Sequence, residues 1–516
     1  MTRSTFLKRA TAAELAILGA LGPAAGRSLA GTAATPRRGG TLHVGVIGNG
    51  PSETYNPAVL NSPIDFLHAS TVFDPLVRIG PNFNFVPGLA LRWVANKTAT
   101  AYEIHLRPGV RWHDGKPFTA DDVIYTMRTM GSPSHFGHFA VASVNLRGLQ
   151  KKGALIVHVP MSRPQARLSD LFSFVNTLIV QNGTKDFSKP VGTGPFKLQS
   201  FAPGQQSTAT RNADYWDSPR PYVDQLVITS LSDPPSGLNA LQAGQVDAVY
   251  PIPFPIAAAK KQNPSSSSWA LIEQTGGFHQ TIYMRADLAP FKDPRVRLAM
   301  KLIPDRKKMI DTVLSGFGEP GNDLFGKSLP NYATLPQHDQ DIARAKSLLK
   351  AAGRAGMHVT LQTSDGLPGL TDAAAFYAQE AAKAGVKVDV KTVPGPAYFN
   401  PSLLYMKMPF AQDSWPIVSL AHAYNLLGTS TAPVNEGHYH DPAFDALVTK
   451  AESTLAPGRA KSSWAAAQRR FWQDSSYIVW GLRHSTSGVA AKVEGWERGW
   501  LYPLGDLKVW NWWLNS

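Results

Sequence analysis

The sequence contains no cysteine among its 516 residues. This absence excludes disulfide bonds, thiolate metal sites and cysteine nucleophiles together. Charged residues are also scarce, at 17%, whereas hydrophobic residues reach 43%, so the composition is that of a globular protein and not of a disordered one. The length is sufficient for two or three domains with sizeable cores.

Long apolar runs are absent as well. No stretch after the N-terminus approaches the ~20 uninterrupted apolar residues of a transmembrane helix, so we expect a soluble mature protein. The N-terminus combines a basic start, a short apolar segment over Leu15–Ala25 and a small-x-small site at Ser28–Ala30. We therefore predict a signal peptide over residues 1–30 and a flexible leader over 31–40. The alternative is a disordered cytosolic N-terminus.

The net charge of +14 is unusually basic. Residues 1–30 carry +3 of it, which leaves +11 on the rest of the chain. Such a balance can favour anionic ligands or membrane surfaces. However, the basic residues are dispersed, and no run is longer than Arg306–Lys308. We predict a solvated basic surface and no nucleic-acid partner, because no nucleic-acid-binding motif accompanies the charge.

Residues 89–127 predict a β-β-α unit. Apolar residues from Tyr102 to Leu106 alternate with polar ones, which is the period-two pattern of a half-buried strand. Thr119 can cap a helix whose third following residue is Asp122, and this acid then lies in the first turn, where the helix dipole favours it. The unit by itself indicates no chemistry.

Further periodic segments predict a mixed α/β second half. The predicted helices span 295–314 (ending at Gly316), 340–352, 371–385, 441–455 and 459–474; the predicted strands span 276–285, 357–363, 386–393 and 477–480.

Two motifs suggest other functions. Gly321–Ser328 satisfies the phosphate-loop pattern G-x4-G-K-S, but Leu329-Pro330 blocks the helix that a nucleotide site needs. His438 and His440 lie near two acids, but a loop is predicted there. We therefore predict no metal, no cofactor and no catalytic residues, and no Gly-x-Ser-x-Gly elbow is present. A secreted hydrolase, or an NTPase using Lys327, is the remaining enzyme alternative.

Several blocks together resemble the family 5 extracellular solute-binding proteins, which serve peptide and nickel ABC importers. The similarity is strongest over 85–127 and 191–250, covers nearly the whole mature chain and is weakest over 395–440. Its motifs include Pro87-Gly88-Leu89-Ala90 with Trp93, the segment with Asn212, Tyr215 and Trp216, and the run Leu238–Tyr250.

The resemblance implies an α/β, two-lobed periplasmic-binding-protein fold (Venus-flytrap, type II, cluster C-like) with an extra subdomain in the first lobe. It implies lobe I over 41–280 with the subdomain at about 76–190, lobe II over 281–480, and a return to lobe I over 481–516.

The resemblance also implies the function. We expect a monomeric protein that is not an enzyme, captures a small solute by lobe closure and delivers it to an inner-membrane ABC permease and its ATPase. The first expectation for the ligand is a short peptide or a related amine-containing compound. A metal chelate bound through His422, His438 or His440, an opine and an oligosaccharide stay open. Lipid-anchored members carry a cysteine, so its absence points to a Gram-negative periplasm.

Ligand-binding residues are expected in three places: the loop after the first strand, the two crossing segments between the lobes, and a second-lobe stretch from Tyr405 to Asn425. Asp413 is the only acid between residues 390 and 435 and is therefore the candidate partner of a ligand ammonium. Trp415 is expected in a weakly apolar loop. The predicted ligand-binding residues are Asn49, Glu53, Tyr55, Phe278, His279, Asp413, Trp415, Tyr424, Asn425, Trp480 and His484; Arg483 is a further candidate on the second crossing segment.

Overall fold

The computed structural model describes residues 35–48, 50–265, 268–399, 404 and 406–515. The predicted signal peptide, the first part of the leader and the predicted site residue Asn49 lie outside these residues. All described residues from Pro36 onward form one compact unit.

Nineteen strands are found in the described part of the chain. They are β1 (Thr41–Ile47), β2 (Val77–Ile79), β3 (Phe85–Pro87), β4 (Ala90–Ala95), β5 (Ala101–Leu106), β6 (Gln150–Lys151), β7 (Ile156–Pro160), β8 (Phe196–Ala202), β9 (Gln206–Arg211), β10 (Gln225–Leu231), β11 (Ala248–Tyr250), β12 (Trp269–Met284), β13 (Gly318–Pro320), β14 (His358–Ser364), β15 (Lys387–Val393), β16 (Phe410–Pro416), β17 (Tyr477–Ala490), β18 (Val493–Glu494) and β19 (Trp513–Leu514).

The helices vary from one turn to five. They are α1 (Pro63–Val72), α2 (Ala120–Met130), α3 (Leu168–Leu171), α4 (Pro234–Gln242), α5 (Phe254–Gln262), α6 (Pro294–Lys301), α7 (Arg306–Val313), α8 (Ile342–Ala351), α9 (Leu370–Lys383), α10 (Gly395–Tyr398), α11 (Leu420–Ala423), α12 (Pro442–Ser453) and α13 (Pro457–Asp474). Short 3-10 or π turns lie at Gly50–Ser52, Pro81–Phe83, Phe136–Ala140, Leu146–Gly148, Val175–Thr177, Tyr424–Gly428 and Val509–Asn511, and one further helical turn lies at Pro503–Asp506.

A large mixed sheet organises the molecule. Its order is β15-β14-β16-β12-β17-β11-β1-β10-β9-β8, and β13 pairs with β17 outside this path. The long strands β12 and β17 pair antiparallel along most of their length and join the two halves. We name β12 and β17 the crossing strands and residues 285–476 the second lobe. The described residues outside the crossing strands and the second lobe form the first lobe. The predicted lobe boundaries at 280 and 480 fall inside the crossing strands.

A separate four-stranded sheet, β4-β5-β7-β6, lies within the first lobe and packs with α2. Tyr102, Ile104 and Leu106 on β5 are buried, as the alternation predicts. The backbone N–H of Thr119 donates to Asp122 Oδ2 at 2.8 Å at the start of α2. The strand period and the Thr119–Asp122 contact are the local part of this unit, whereas the pairing of β5 with β7 joins residues about 50 positions apart.

The predicted helix over 295–314 is wrong as a single helix. The chain forms α6 and α7, separated by a short break. Pro304 in this break cannot donate a backbone hydrogen bond, and Asp305 then caps α7 by accepting from the Lys308 N–H at 3.0 Å.

In the residues that the structure covers, no helix combines the length and the apolar character that a membrane span requires.

Candidate functional site

The two lobes meet at a group of aromatic rings, which we name the interlobe ring cluster. Phe66, Phe139, Phe174 and Tyr502 come from the first lobe, and His422 comes from the second. The His422 ring lies 4.5 Å from both the Phe139 and the Phe174 ring, between centroids. Phe174 lies 6.2 Å from Tyr502, which lies 5.7 Å from Phe66. One imidazole of the second lobe is thus held against a first-lobe aromatic surface.

His422 is positioned by the start of α11. Ser419 caps this helix, its hydroxyl accepting from the His422 backbone N–H at 3.1 Å. The imidazole Nδ1 accepts from the Val418 backbone N–H at 3.2 Å, which leaves the proton on Nε2. Nε2 is buried and has no hydrogen-bond partner among the described residues. Burial, with a smaller contribution from nearby His279, lowers the pKa of His422 to about 3, so the ring is a neutral donor.

A polar contact joins the lobes beside the ring cluster. Arg163 of the first lobe pairs with the carboxylate of Glu452 on α12, and the side-chain amide of Asn425 donates to the same carboxylate. The backbone N–H of Ala166 donates to the Glu452 carbonyl at 2.6 Å. Because the Glu452 side chain is fully buried, opening the lobes removes a cationic partner from a buried anion.

A cavity of about 480 Å³, including its opening to solvent, lies between these contacts. First-lobe Gln165 and Asp170 face second-lobe Asn331, Ser419 and Glu452 across it. Gln165 is buried, and its Nε2 has no hydrogen-bond partner in the described chain. Polar groups from both lobes line this cavity.

The predicted first-lobe residues lie inside that lobe. Glu53 accepts from the Ser230 hydroxyl at 2.6 Å and from the Gly204 N–H at 3.0 Å. Tyr55 is stacked on His68, with ring centroids 5.0 Å apart, and burial raises the pKa of its hydroxyl. Their role in ligand binding stays a prediction.

The crossing strands place Phe278 and His279 near the centre of the molecule. His279 Nε2 accepts from the Gly326 N–H at 2.8 Å, and burial lowers its pKa to about 3. Phe278 is buried, and the guanidinium carbon of Arg483 lies 4.8 Å from its ring centroid.

The expectation that Trp415 lies in a loop is wrong. Trp415 is on β16, paired with His279 on β12, and its indole N–H donates to Glu436 at 3.4 Å. Pro416 does not break the strand because it is the last residue of β16. Asp413 is buried on the same strand, where its charge adds to burial in raising the pKa of Tyr398.

The other predicted residues are buried. Tyr424 packs against second-lobe rings, with Phe471 5.2 Å away between centroids. Asn425 binds Glu452, as described above. The indole of Trp480 is completely buried. His484 Nδ1 lies 2.8 Å from Glu273 Oε1, and this contact is the largest cause that lowers the pKa of Glu273 to about 2. For these residues, too, ligand contact stays a prediction.

Sequence reasoning missed most of the interlobe contacts. Phe139, Phe174 and Tyr502 lie in or beside short turns, and nothing in their local sequence distinguishes them from core residues. Gln165 and Glu452 likewise have no local motif. These residues reach the interface between the lobes only because the tertiary fold brings distant segments of the chain together.

The surroundings of the phosphate-loop pattern and of the histidine motif bear on the nucleotide and metal sites that these patterns suggest. Lys327 donates to the Pro320 carbonyl at 2.8 Å and pairs with Glu319 at 3.0 Å, and no helix follows it. Across the described ranges, no group of three or more His, Asp or Glu side chains is arranged to hold a metal ion.

Comparison with known families decides the class of the protein. The family model for bacterial extracellular solute-binding proteins, family 5 (middle region), matches residues 84–436. The chain belongs to this family. The family resemblance, and with it the expected transport function as a solute-binding protein, is confirmed.

Individual relatives of this solute-binding protein are distant but extend over most of its length. The oligopeptide-binding protein AppA of Bacillus subtilis is 23% identical, covering 94% of this chain and 93% of the relative. The di/tripeptide-binding protein 4 of Pseudomonas aeruginosa is 26% identical, covering 80% of this chain and 84% of the relative.

Solved structures confirm the two-lobed family 5 fold. The binding protein AgaA of A. tumefaciens R10, in complex with agropinic acid, has a TM-score of 0.82 at 22% identity and covers 92% of this chain and 99% of that one. DppA of Helicobacter pylori, in complex with the peptide STSA, has a TM-score of 0.81 at 21% identity and covers 93% and 99%.

Proposed function

We propose that this solute-binding protein captures a short peptide or a related amine-containing compound between its lobes and delivers it to an inner-membrane ABC permease with its ATPase. The proposal places the protein, as a monomer, in the periplasm of a Gram-negative bacterium and assigns it no catalytic step.

The contact of His422 with Phe139 and Phe174 carries this proposal. These rings belong to different lobes, so they meet only when the lobes are closed. A ligand that touches both surfaces binds the closed state more tightly than the open one and shifts the population toward it. Lobe closure then signals the loaded state to the permease.

The ligand class is supported by the relatives and by the cleft. The relatives named above bind oligopeptides and di- or tripeptides, and AgaA holds agropinic acid in its structure. The Gln165 amide lines the interlobe cavity, and its Nε2, which has no partner among the described residues, can donate to a polar solute. The Glu452 carboxylate beside it is already bound by Arg163 and Asn425.

A ligand screen tests the proposal. The purified protein is melted with di- and tripeptides, opines, oligosaccharides and nickel–histidine, and hits are measured by calorimetry. We expect stabilisation by peptides or other amine-bearing solutes and a decrease in the radius of gyration by small-angle scattering. Stabilisation only by sugars, or only by the nickel chelate, would contradict the ligand class. No response to any compound would contradict the capture function.

A further inference from the structure

Arg483 on crossing strand β17 is a buried cation without an anionic partner. It is 2% exposed, and no carboxylate of the described residues lies within 4 Å of its guanidinium. Its Nη1 donates to the Tyr250 hydroxyl at 3.3 Å, whereas its Nε has no partner in the described chain. A guanidinium has five N–H donors and is cationic at physiological pH.

The other buried arginines in the part of the chain that the structure describes are neutralised. Arg306 binds Asp323 through two contacts, at 2.8 and 3.0 Å, and Arg297 pairs with Asp474. A buried cation without a carboxylate is costly unless a charged group compensates it. The Phe278 ring, 4.8 Å from the guanidinium carbon of Arg483, offers a cation–π contact but no hydrogen-bond acceptor.

Two further unpartnered polar atoms lie on the same part of the crossing strands. Ser485 follows Arg483 by two residues, so both side chains leave the same face of β17, with Cα atoms about 6.6 Å apart. The Ser485 hydroxyl is buried and has no partner among the described residues. Gln274 is the cross-strand partner of Ser485, and its Oε1 is likewise buried and unpartnered within the described ranges.

This group adjoins the interlobe site. The side-chain amide of Gln274 donates to the carbonyl of Tyr502, whose ring belongs to the interlobe ring cluster. The crossing strands themselves connect the lobes. The group around Arg483 is therefore linked, through Gln274, to the segment that carries one ring of the interlobe ring cluster.

We propose that Arg483 and Ser485 bind a carboxylate of the solute, and that Gln274 Oε1 accepts from an N–H on the adjacent carbon. This inference rests on the proposed function and specifies the ligand as an α-amino or α-amido carboxylate. A peptide C-terminus and an opine both contain this group. Arginine suits it because its planar donors match the two oxygens of a carboxylate.

A minimal probe tests the site without a known ligand. N-acetylglycine and its uncharged amide are added at matched ionic strength, and the melting temperature is measured. We expect the acid to stabilise the wild type more than the amide does, and this difference to disappear in Arg483→Gln and to shrink in Ser485→Ala. Arg92→Gln, which removes an exposed arginine, is the matched charge control and should retain the difference. Equal effects of acid and amide on the wild type would overturn the inference.

Affinity measurements then separate the two sources of the carboxylate. Trialanine, trialanine amide and mannopinic acid are titrated by calorimetry. Loss of the carboxylate contact should weaken binding by roughly 10- to 100-fold, the range of a charge-assisted hydrogen bond. If the carboxylate is a peptide C-terminus, Arg483→Gln should lower the affinity for trialanine to that for trialanine amide. If it belongs to an opine, Arg483→Gln should weaken the binding of mannopinic acid by the same factor. Arg483→Lys should recover part of the lost affinity in either case. Unchanged affinities in Arg483→Gln would overturn the carboxylate site while leaving solute capture intact.

Discussion

The carboxylate of Glu452, fully buried in the second lobe, pairs with the guanidinium of Arg163 in the first lobe. Arg163 remains about one-third exposed, so solvent screens the pair in part. The contact exists only between closed lobes, and it therefore favours closure whatever solute is bound.

Removing this pair should weaken solute binding. In Arg163→Gln the buried carboxylate keeps its contact with Asn425 but loses its cation, which we expect to cost about 1 kcal/mol, or roughly a fivefold loss of affinity. Calorimetry with the best solute of the screen measures it, and small-angle scattering should give a larger mean radius of gyration without solute. Lys151→Gln removes a surface pair with Asp121 within the first lobe and serves as control. Equal effects of both substitutions would contradict the interlobe role.

His422 should make stability depend on pH. Its pKa is about 3 in the folded protein and near 6.5 when unfolded, so the unfolded chain binds a proton first and the folded state loses stability as the pH falls from about 6.5 to about 3. His422→Leu removes this loss. When the pH is lowered from 7 to 5, the free energy of unfolding of His422→Leu should therefore rise by about 2 kcal/mol relative to that of the wild type, as measured by urea unfolding. A difference between His422→Leu and the wild type that stays constant from pH 7 to pH 5 would refute the prediction.

The cap of α2 should be important for first-lobe stability. The Asp122 carboxylate accepts from the N–H groups of Thr119 and Asn182, both at 2.8 Å, and from the Trp112 indole at 3.2 Å. Asp122→Ala leaves these donors without an acceptor and should destabilise the fold by about 3 kcal/mol. Asp121→Ala, which breaks only an exposed pair, should cost at most about 1 kcal/mol. Urea unfolding of both variants checks the contrast, and similar losses would argue against the capping role.

The phosphate-loop pattern at Gly321–Ser328 should not bind nucleotide. The Lys327 ammonium is occupied by Pro320 and Glu319, and the helix whose N-terminus would bind phosphate does not follow. Titration calorimetry with MgATP should give no heat of binding for the wild type or for Lys327→Ala. Binding to the wild type that Lys327→Ala abolishes would restore the NTPase alternative.

Secondary structure was predictable where the signal is local. The strand predicted over 357–363 is β14 at His358–Ser364, and the helix predicted over 459–474 is α13 at Pro457–Asp474. Both follow from periodicity and flanking turn residues. Trp415 was misplaced because its neighbour Pro416 indicates a loop in isolation, whereas the pairing of β16 with β12 makes this segment a strand.

The residues of the candidate site could not be predicted from local signals in this way. The sequence places Arg483 on a crossing segment but cannot show whether an acid from another part of the chain will neutralise it. The same limit applies to Phe139 and His422, whose contact depends on two segments separated by hundreds of residues.

The amino-acid sequence by itself determined the family, the alternation of strands and helices, and the absence of every function that needs cysteine. These properties depend on composition and on patterns within a few tens of residues. Only the tertiary structure decided which side chains face each other between the lobes and which buried polar groups lack a partner. Burial and pairing are properties of the closed three-dimensional arrangement, since a charge is compensated by whatever lies within a few ångströms of it and not by its neighbours in the chain.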